Sequence, residues 1–277
     1  MKIAVLSGKG GAGKTFVSVN LSVCAKNAVY VDCDIEEPNG RLFLKPQNTT
    51  TEEVYKLLPS FSKDKCKGCR KCVDFCKFNA LVLIKNKPVL FPDVCHSCMG
   101  CEIVCPFDAV EETQKPIGII EEGQKGQLDV ITGILNPGES SGVPIIKHAL
   151  EKAFSKNKTT VVDCPPGSAC SVMESVSRCD YCIIVAEPTS FGFHNFKMVY
   201  ELVNLLSKKC GVVINKSDGE FAPLNDFCKE NNIPILLKIP YSRELAHLTS
   251  EGRIASEQDD SIKEIFTSLL EKIGGSI

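Results

Sequence analysis

Gly8-Lys9-Gly10-Gly11-Ala12-Gly13-Lys14-Thr15 is the stretch whose reading decides the fold. It matches G-x-x-x-x-G-K-[ST], a phosphate-binding loop, and its context fits. Lys2–Leu6 ahead of it reads as a buried strand, and Lys14–Lys26 behind it as a helix. Glycines let backbone N–H groups close around phosphate oxygens, and the helix N-terminus adds the positive end of its dipole. Lys14 is placed to reach the β- and γ-phosphates of ATP, and the Thr15 hydroxyl to ligate Mg²⁺. Gly8 to Phe16 is therefore read as the nucleotide cradle. A plain glycine-rich turn before a helix is the ordinary alternative; the Lys-Thr pair and the strand ahead of it argue against that.

Outward from this loop the chain alternates apolar strands with helical stretches. Ala28–Asp32, Thr159–Asp163, Tyr181–Ala186, Val212–Asn215 and Pro234–Ile239 read as strands, with shorter candidates at Ile117–Ile120 and Leu128–Thr132. Pro144–Ser155, Phe196–Lys208, Leu224–Asn231 and Ile262–Ile273 read as helices. This alternation predicts an α/β fold, a mostly parallel sheet with helices on both faces. Two strands end in acid: Val29-Tyr30-Val31-Asp32-Cys33-Asp34, and Val161-Val162-Asp163 before Cys164-Pro165-Pro166-Gly167. Alone, such an Asp is a cap or turn residue. Beside a phosphate loop, both fall at carboxyl ends of parallel strands, where such sheets bind ligands. Asp163 is assigned to the Mg²⁺ shell.

Charged residues make up 24% of the 277, hydrophobic ones 43%, and the formal net charge is −2, which gives no sign of a general nucleic-acid binder. Cysteine is the anomaly, at 16 residues. Disulfides would need an oxidising compartment. Met1–Leu6 runs straight into the glycine-rich loop without the features of a secretory leader, so a cytoplasmic setting with cysteines as metal ligands is expected.

Eight of those cysteines fall in two matching runs. Cys66, Cys69, Cys72 and Cys76 are followed by Cys95, Cys98, Cys101 and Cys105, the second run closing on Pro106. Both have the C-x2-C-x2-C-x3-C spacing of bacterial ferredoxins. Three thiolates on a tight loop bind three irons of one cubane, and the fourth cysteine reaches the other cluster. Cys66, Cys69, Cys72 and Cys105 are assigned to one [4Fe–4S] cluster, and Cys95, Cys98, Cys101 and Cys76 to a second. Zinc is the competing metal, since paired C-x2-C units also serve zinc. The α/β rhythm lapses from residue 60 to 115 and then resumes, which predicts a ferredoxin-like α+β insert at 60–115 in a P-loop ATPase domain formed by 1–59 and 116–277. The other cysteines read mostly as small core residues, and for Cys33 and Cys164, beside the nucleotide site, a redox or metal role is the alternative.

With these residues in view the chain resembles the MinD/ParA/nitrogenase-iron-protein group of P-loop ATPases, and within it those members that carry an inserted ferredoxin domain. Lys9 in Gly8-Lys9-Gly10-Gly11 resembles the lysine of that group's deviant Walker A motif. The resemblance implies that Lys9 crosses to a partner's nucleotide in an ATP-dependent sandwich dimer. It also implies that Asp34 positions the attacking water, that Asp32 supports the Mg²⁺ shell, and that Asn215 and the Pro240 region contact adenine. Glu187-Pro188-Thr189 and its continuation through Gly192 and His194 match a further motif, with Asn195 where Asp is usual. His194 itself reads as a cap or packing residue, with a switch role as its alternative.

Three functions compete. The first is an ATPase, with Lys14, Asp34 and Lys9 as its catalytic set, whose nucleotide state governs electron transfer through two clusters to a redox or metallocofactor-assembly client. The second is an iron–sulfur or metallocofactor carrier, although the C-terminal C-x2-C pair of such carriers is missing. The third is a positioning ATPase like MinD, which would need a basic amphipathic C-terminal helix. Ser261–Ile277 balances Lys263 and Lys272 against Glu264 and Glu271, so it reads as a packed helix and no stable membrane anchor is expected. The group's habits leave a homodimer and a heterodimer with a related ATPase equally open.

Overall fold

The structure, a computed structural model, describes residues 1–276. In chain order its elements are β1 (Lys2–Leu6), α1 (Lys14–Cys24), β2 (Ala28–Asp32), α2 (Gly40–Leu44), β3 (Gln47–Phe61), α3 (Lys71–Phe75), β4 (Leu81–Ile84), β5 (Lys87–Leu90), α4 (Gly100–Ile103), β6 (Val110–Lys125) and β7 (Leu128–Leu135). There follow α5 (Val143–Ser155), β8 (Thr159–Asp163), α6 (Cys170–Ser177), β9 (Tyr181–Ala186), α7 (Ser190–Leu205), β10 (Lys209–Ser217), α8 (Ala222–Glu230), β11 (Ile235–Pro240), α9 (Arg243–Ser250), α10 (Ala255–Gln258) and α11 (Asp260–Gly274). Nine strands form one sheet in the order β11-β10-β9-β1-β8-β2-β7-β6-β3. From β11 to β7 every neighbouring pair is parallel. This is the α/β P-loop architecture that the alternation predicts.

Two compact units divide the chain. The first holds residues 1–52, 120–134 and 145 onward; the second holds 53–119 and 135–144. The boundary differs from the expected 60–115. β3 and β6 are long strands of the nine-stranded sheet that each run through it, so a self-contained inserted domain is not what is seen.

In the first unit the central strands are buried along nearly their whole length. Ile3 and Val5 pack with Val17 and Leu21 of α1 and with Phe266, Leu269 and Ile273 of α11. The intervening Ala4 and Leu6 point to the other face and are equally buried, so the sheet is covered on both sides. α11 thus sends its apolar stripe into the core, as expected of a packed helix. Among the described residues no helix is long and apolar enough to cross a membrane.

In the second unit, α3 and α4 pack together and β4 and β5 form an antiparallel hairpin. Its core is small: Leu81, Cys101 and Val110, flanked by Phe61, Cys72, Val73, Cys76, Leu90 and Cys105. The two cysteine runs adopt one repeated backbone path. Left-handed φ values recur at equivalent places: Gly68 (67°) and Ser97 (55°), Arg70 (71°) and Met99 (51°), Asn79 (53°) and Asp108 (45°). The halves also exchange equivalent hydrogen bonds, Ser62 N–H to the Ala109 carbonyl at 2.9 Å and Phe91 N–H to the Ala80 carbonyl at 2.8 Å.

Candidate functional site

The strand register builds the first site. β2 and β8 are in step so that Asp32 lies directly beside Asp163, and β7 places Thr132 beside Asp32. Both carboxylates are fully buried. Two like charges side by side in an apolar sheet need compensation. Asp32 receives the backbone N–H groups of Gly40 at 2.9 Å and Asp34 at 3.1 Å. The Tyr30 hydroxyl donates to Asp163 at 2.9 Å. Burial and then the Asp163 charge hold the Asp32 carboxyl well above its usual range. Thr132 Oγ1, at the end of the row, is buried without a partner.

Lys14 is the counter-charge. Its Nζ lies 3.1 Å from Asp34 and 3.4 Å from Asp163. Burial works against the ammonium, but Asp163 and Asp34 outweigh it and hold Lys14 above its ordinary value. Burial also raises Asp34, with Lys14 pulling the other way. Gly13 takes φ 98° as the N-cap of α1, and a Cβ there would meet the Asn215 amide at 2.0 Å. Asn215 donates from that amide to the Ala12 carbonyl at 2.8 Å. Phe16 packs its ring edge-on against Phe266, so only its backbone faces the cradle. Pro240 is exposed at the end of β11, paired with Ser217.

Lys9 is held within its own chain. It ion-pairs with Glu187, which also binds Lys216 at 2.7 Å. Lys216 in turn donates to the Gly11 carbonyl at 2.7 Å. Burial raises the Glu187 carboxyl, yet hydrogen bonds from Lys216 and Lys9 outweigh it and set it below its ordinary range. His194 is exposed on α7. Cys33 and Cys164 are fully buried, and burial pushes both thiols well up, which makes them core residues.

The second site lies within the cysteine unit. A recess open to solvent is lined by Cys66, Cys69, Cys72 and Cys105, with Phe61, Leu83, Pro88 and Phe107 among its apolar walls. These four thiols are the crossed set expected from the sequence. The exchanged hydrogen bonds of the two halves explain the crossing, because Ala109 is tied to Ser62 just ahead of the first run and carries Cys105 with it. Burial pushes the Cys101 thiol up to about 11, with Cys72 and Cys95 contributing, and burial likewise raises Cys72. All sixteen cysteines are free. Among the described residues no three His, Cys, Asp or Glu side chains converge on one point as a ready-made metal site, so the thiols line the recess without meeting. That applies equally to Asp32 and Asp163 as Mg²⁺ ligands. In chemistry the two places still suit their expected groups: oxygen donors beside a phosphate loop for Mg²⁺, and four thiols in an apolar recess for iron–sulfur.

Nothing local in the sequence marked Tyr30, Thr132 or Lys216. Glu187 stood in a quoted motif without a role. Tyr30 meets Asp163, and Lys216 meets Gly11 and Glu187, only through contacts distant along the chain.

Residues 3–255 match the CobQ/CobB/MinD/ParA nucleotide binding domain, and the chain belongs to that family. It is 31% identical to the uncharacterized protein MJ0578 of Methanocaldococcus jannaschii over 99% of this chain and 96% of the relative. Among solved structures it resembles the septum site-determining protein MinD of Pyrococcus horikoshii in complex with Mg-ADP, with a TM-score of 0.61, 17% identity, and 98% and 95% of the two chains covered. It also resembles the MinC:MinD cell division protein complex of Aquifex aeolicus, with a TM-score of 0.58, 18% identity, and 100% and 96% covered.

Proposed function

We propose that the chain is a MinD/ParA-type nucleotide switch, an Mg-ATP-hydrolysing P-loop unit whose bound nucleotide sets how two chains pair. The observation that carries this reading is Lys14, held between Asp34, just past β2, at 3.1 Å and Asp163, at the end of β8, at 3.4 Å. A triphosphate entering the Gly8–Thr15 loop competes for that ammonium. Asp34 would then be released to orient the attacking water, and Asp163, Asp32 and Thr15 are the residues that would hold the Mg²⁺ shell. Lys9 exchanges Glu187 for the nucleotide of a second chain. Asn215 and the Pro240 region border the base.

The cysteine unit gives the switch its object. Cys66, Cys69, Cys72 and Cys105 would hold one [4Fe–4S] cluster, and Cys95, Cys98, Cys101 and Cys76 another. Such clusters supply one-electron chemistry when bound. The chain itself offers a covalent route between its two units. β7 carries Thr132 beside Asp32 and continues into residues 135–144 of the cysteine unit, where Glu139 is gripped by Lys56 and Lys115, each at 2.7 Å. A change around Asp32 on nucleotide binding would be felt along that strand, and so at a redox or metallocofactor client.

The solved neighbours favour a second reading, a positioning ATPase of the MinD kind in which the cysteines carry no electrons. Anaerobic purification with iron and zinc analysis, followed by EPR with and without Mg-ATP, separates the two. The switch-plus-cluster reading expects about eight irons per chain and a signal that changes with nucleotide. Nucleotide-driven pairing with no iron selects the positioning reading.

A further inference from the structure

We infer that the rim of the Cys66–Cys69–Cys72–Cys105 recess is a docking surface for a small acidic electron-carrier protein; this rests on the reading of the recess as a cluster site. Lys67, Arg70 and Lys71 line the recess itself. The β4–β5 turn brings Lys85 and Lys87 to the same rim. Gly68 sits so close to that turn that a Cβ would meet the Asn86 carbonyl at 2.3 Å, and Lys87 donates to the Lys63 carbonyl at 3.5 Å. All these cations are exposed, as is Cys69. Arg70 is paired with Asp74 at 2.9 Å; among the described residues no ion pair joins Lys67, Lys71 or Lys85 to a carboxylate.

The ordinary explanation is that the lysines balance thiolate charge. The repeat within the unit tests that. The second run has the same number of thiols on the same backbone path, yet His96, Met99 and Gly100 stand where the first has Lys67, Arg70 and Lys71. Glu111, paired with Lys65 at 3.9 Å, and Asp108, between the recess-lining Phe107 and Ala109, belong with the first recess, where the cations outnumber them. Thiol balance alone would put the same cations in both loops, and only the first loop carries them. The exposed cations around this recess steer an acidic partner to it. The rim encircles a four-thiol recess with an exposed cysteine, which favours a redox protein over a nucleic acid. One electron passes from the reduced carrier to the group held by these thiols, and the carrier leaves oxidised by one electron; no bond is made or broken.

The test uses the full chain purified anaerobically, with iron measured first, and an acidic ferredoxin as probe. Calorimetry gives the affinity and stopped-flow absorbance the transfer rate, each at about 0.05 M and about 0.5 M salt. Lys67→Glu/Lys71→Glu/Lys85→Glu is expected to lower both at least about ten-fold at low salt, with most of the gap closing at high salt. The neutral Lys67→Gln/Lys71→Gln/Lys85→Gln, checked for wild-type iron content, is expected to fall between and guards against misfolding of the first variant. Iron-loaded protein whose binding ignores both salt and charge reversal overturns the docking surface alone. A single-stranded oligonucleotide binding this rim more tightly than the ferredoxin does the same. Absence of iron from the wild-type protein overturns the cluster reading, and the inference with it.

Discussion

The nucleotide unit and the cysteine unit build their sites by opposite means. In the first, buried side chains are already paired: Asp32 accepts two backbone N–H groups, Asp163 the Tyr30 hydroxyl, and Lys14 spans Asp34 and Asp163. Its geometry is imposed by the register of a covered parallel sheet. In the second, four thiols line a recess without converging, on loops held by left-handed residues and a small apolar cluster around Leu81, Cys101 and Val110. Exposed Phe75, Phe78, Phe91 and Phe107 show how little apolar surface that unit hides. A phosphate site made of backbone and sheet ends stands by itself, whereas a thiol site in so small a core leans on its ligand for order.

That contrast breaks most sharply at Lys14. Lys14→Ala is expected to reduce ATP hydrolysis on the order of 10²–10³-fold, as removal of one electrostatic stabiliser does, while iron per chain stays at the wild-type value. A steady-state phosphate assay and iron analysis on the same preparation check it; joint loss would show that the two units are not separable. The converse change is Cys69→Ser with Cys98→Ser, one ligand from each crossed set. Iron is expected to fall and the cysteine unit to gain fast amide exchange, with strands β1, β8 and β9 remaining protected. Uniform loss of protection would contradict the division.

Smaller effects sharpen the nucleotide side. Glu187→Gln removes the carboxylate that holds Lys9 and Lys216. ATP-dependent pairing, followed by light scattering, is expected at about 2–5-fold lower ATP, the worth of a partly exposed ion pair. The least change concerns acid–base linkage. Asp32 is held above its ordinary carboxyl range, first by burial and then by Asp163. The folded chain therefore keeps a proton that the unfolded chain has lost, and stability falls as pH rises from the ordinary carboxylate range towards the folded value. Asp32→Asn is expected to flatten that slope in denaturant titrations at several pH values, while weakening Mg²⁺-dependent nucleotide binding. An unchanged slope would place the proton elsewhere.

Much of this was legible in the sequence because local chemistry dictated it. The Gly8–Thr15 loop, the acidic strand ends at Asp32 and Asp163, and the two cysteine spacings are short-range patterns with one backbone solution each. β3 was not legible: Gln47-Asn48-Thr49-Thr50-Thr51-Glu52-Glu53 is exposed throughout, and an edge strand without a buried stripe looks like a loop. Helix ends moved for a similar reason. α7 begins at Ser190, six residues before its apolar spacing starts at Phe196, because Thr189 caps it by accepting the Gly192 N–H at 3.0 Å. The clasp of Lys9 by Glu187, and the membership of residues 135–144 in the cysteine unit, arise from long-range contacts that no window of sequence contains.

The central claim is that one chain holds a phosphate switch and an iron–sulfur unit that respond to each other. EPR of anaerobically purified protein, recorded with and without Mg-ATP in wild type and in Lys14→Ala, tests it most directly. The account predicts about eight irons per chain in both proteins and a cluster signal that shifts with nucleotide in the wild type alone. Zinc in place of iron, or an iron signal indifferent to nucleotide in both, would contradict it.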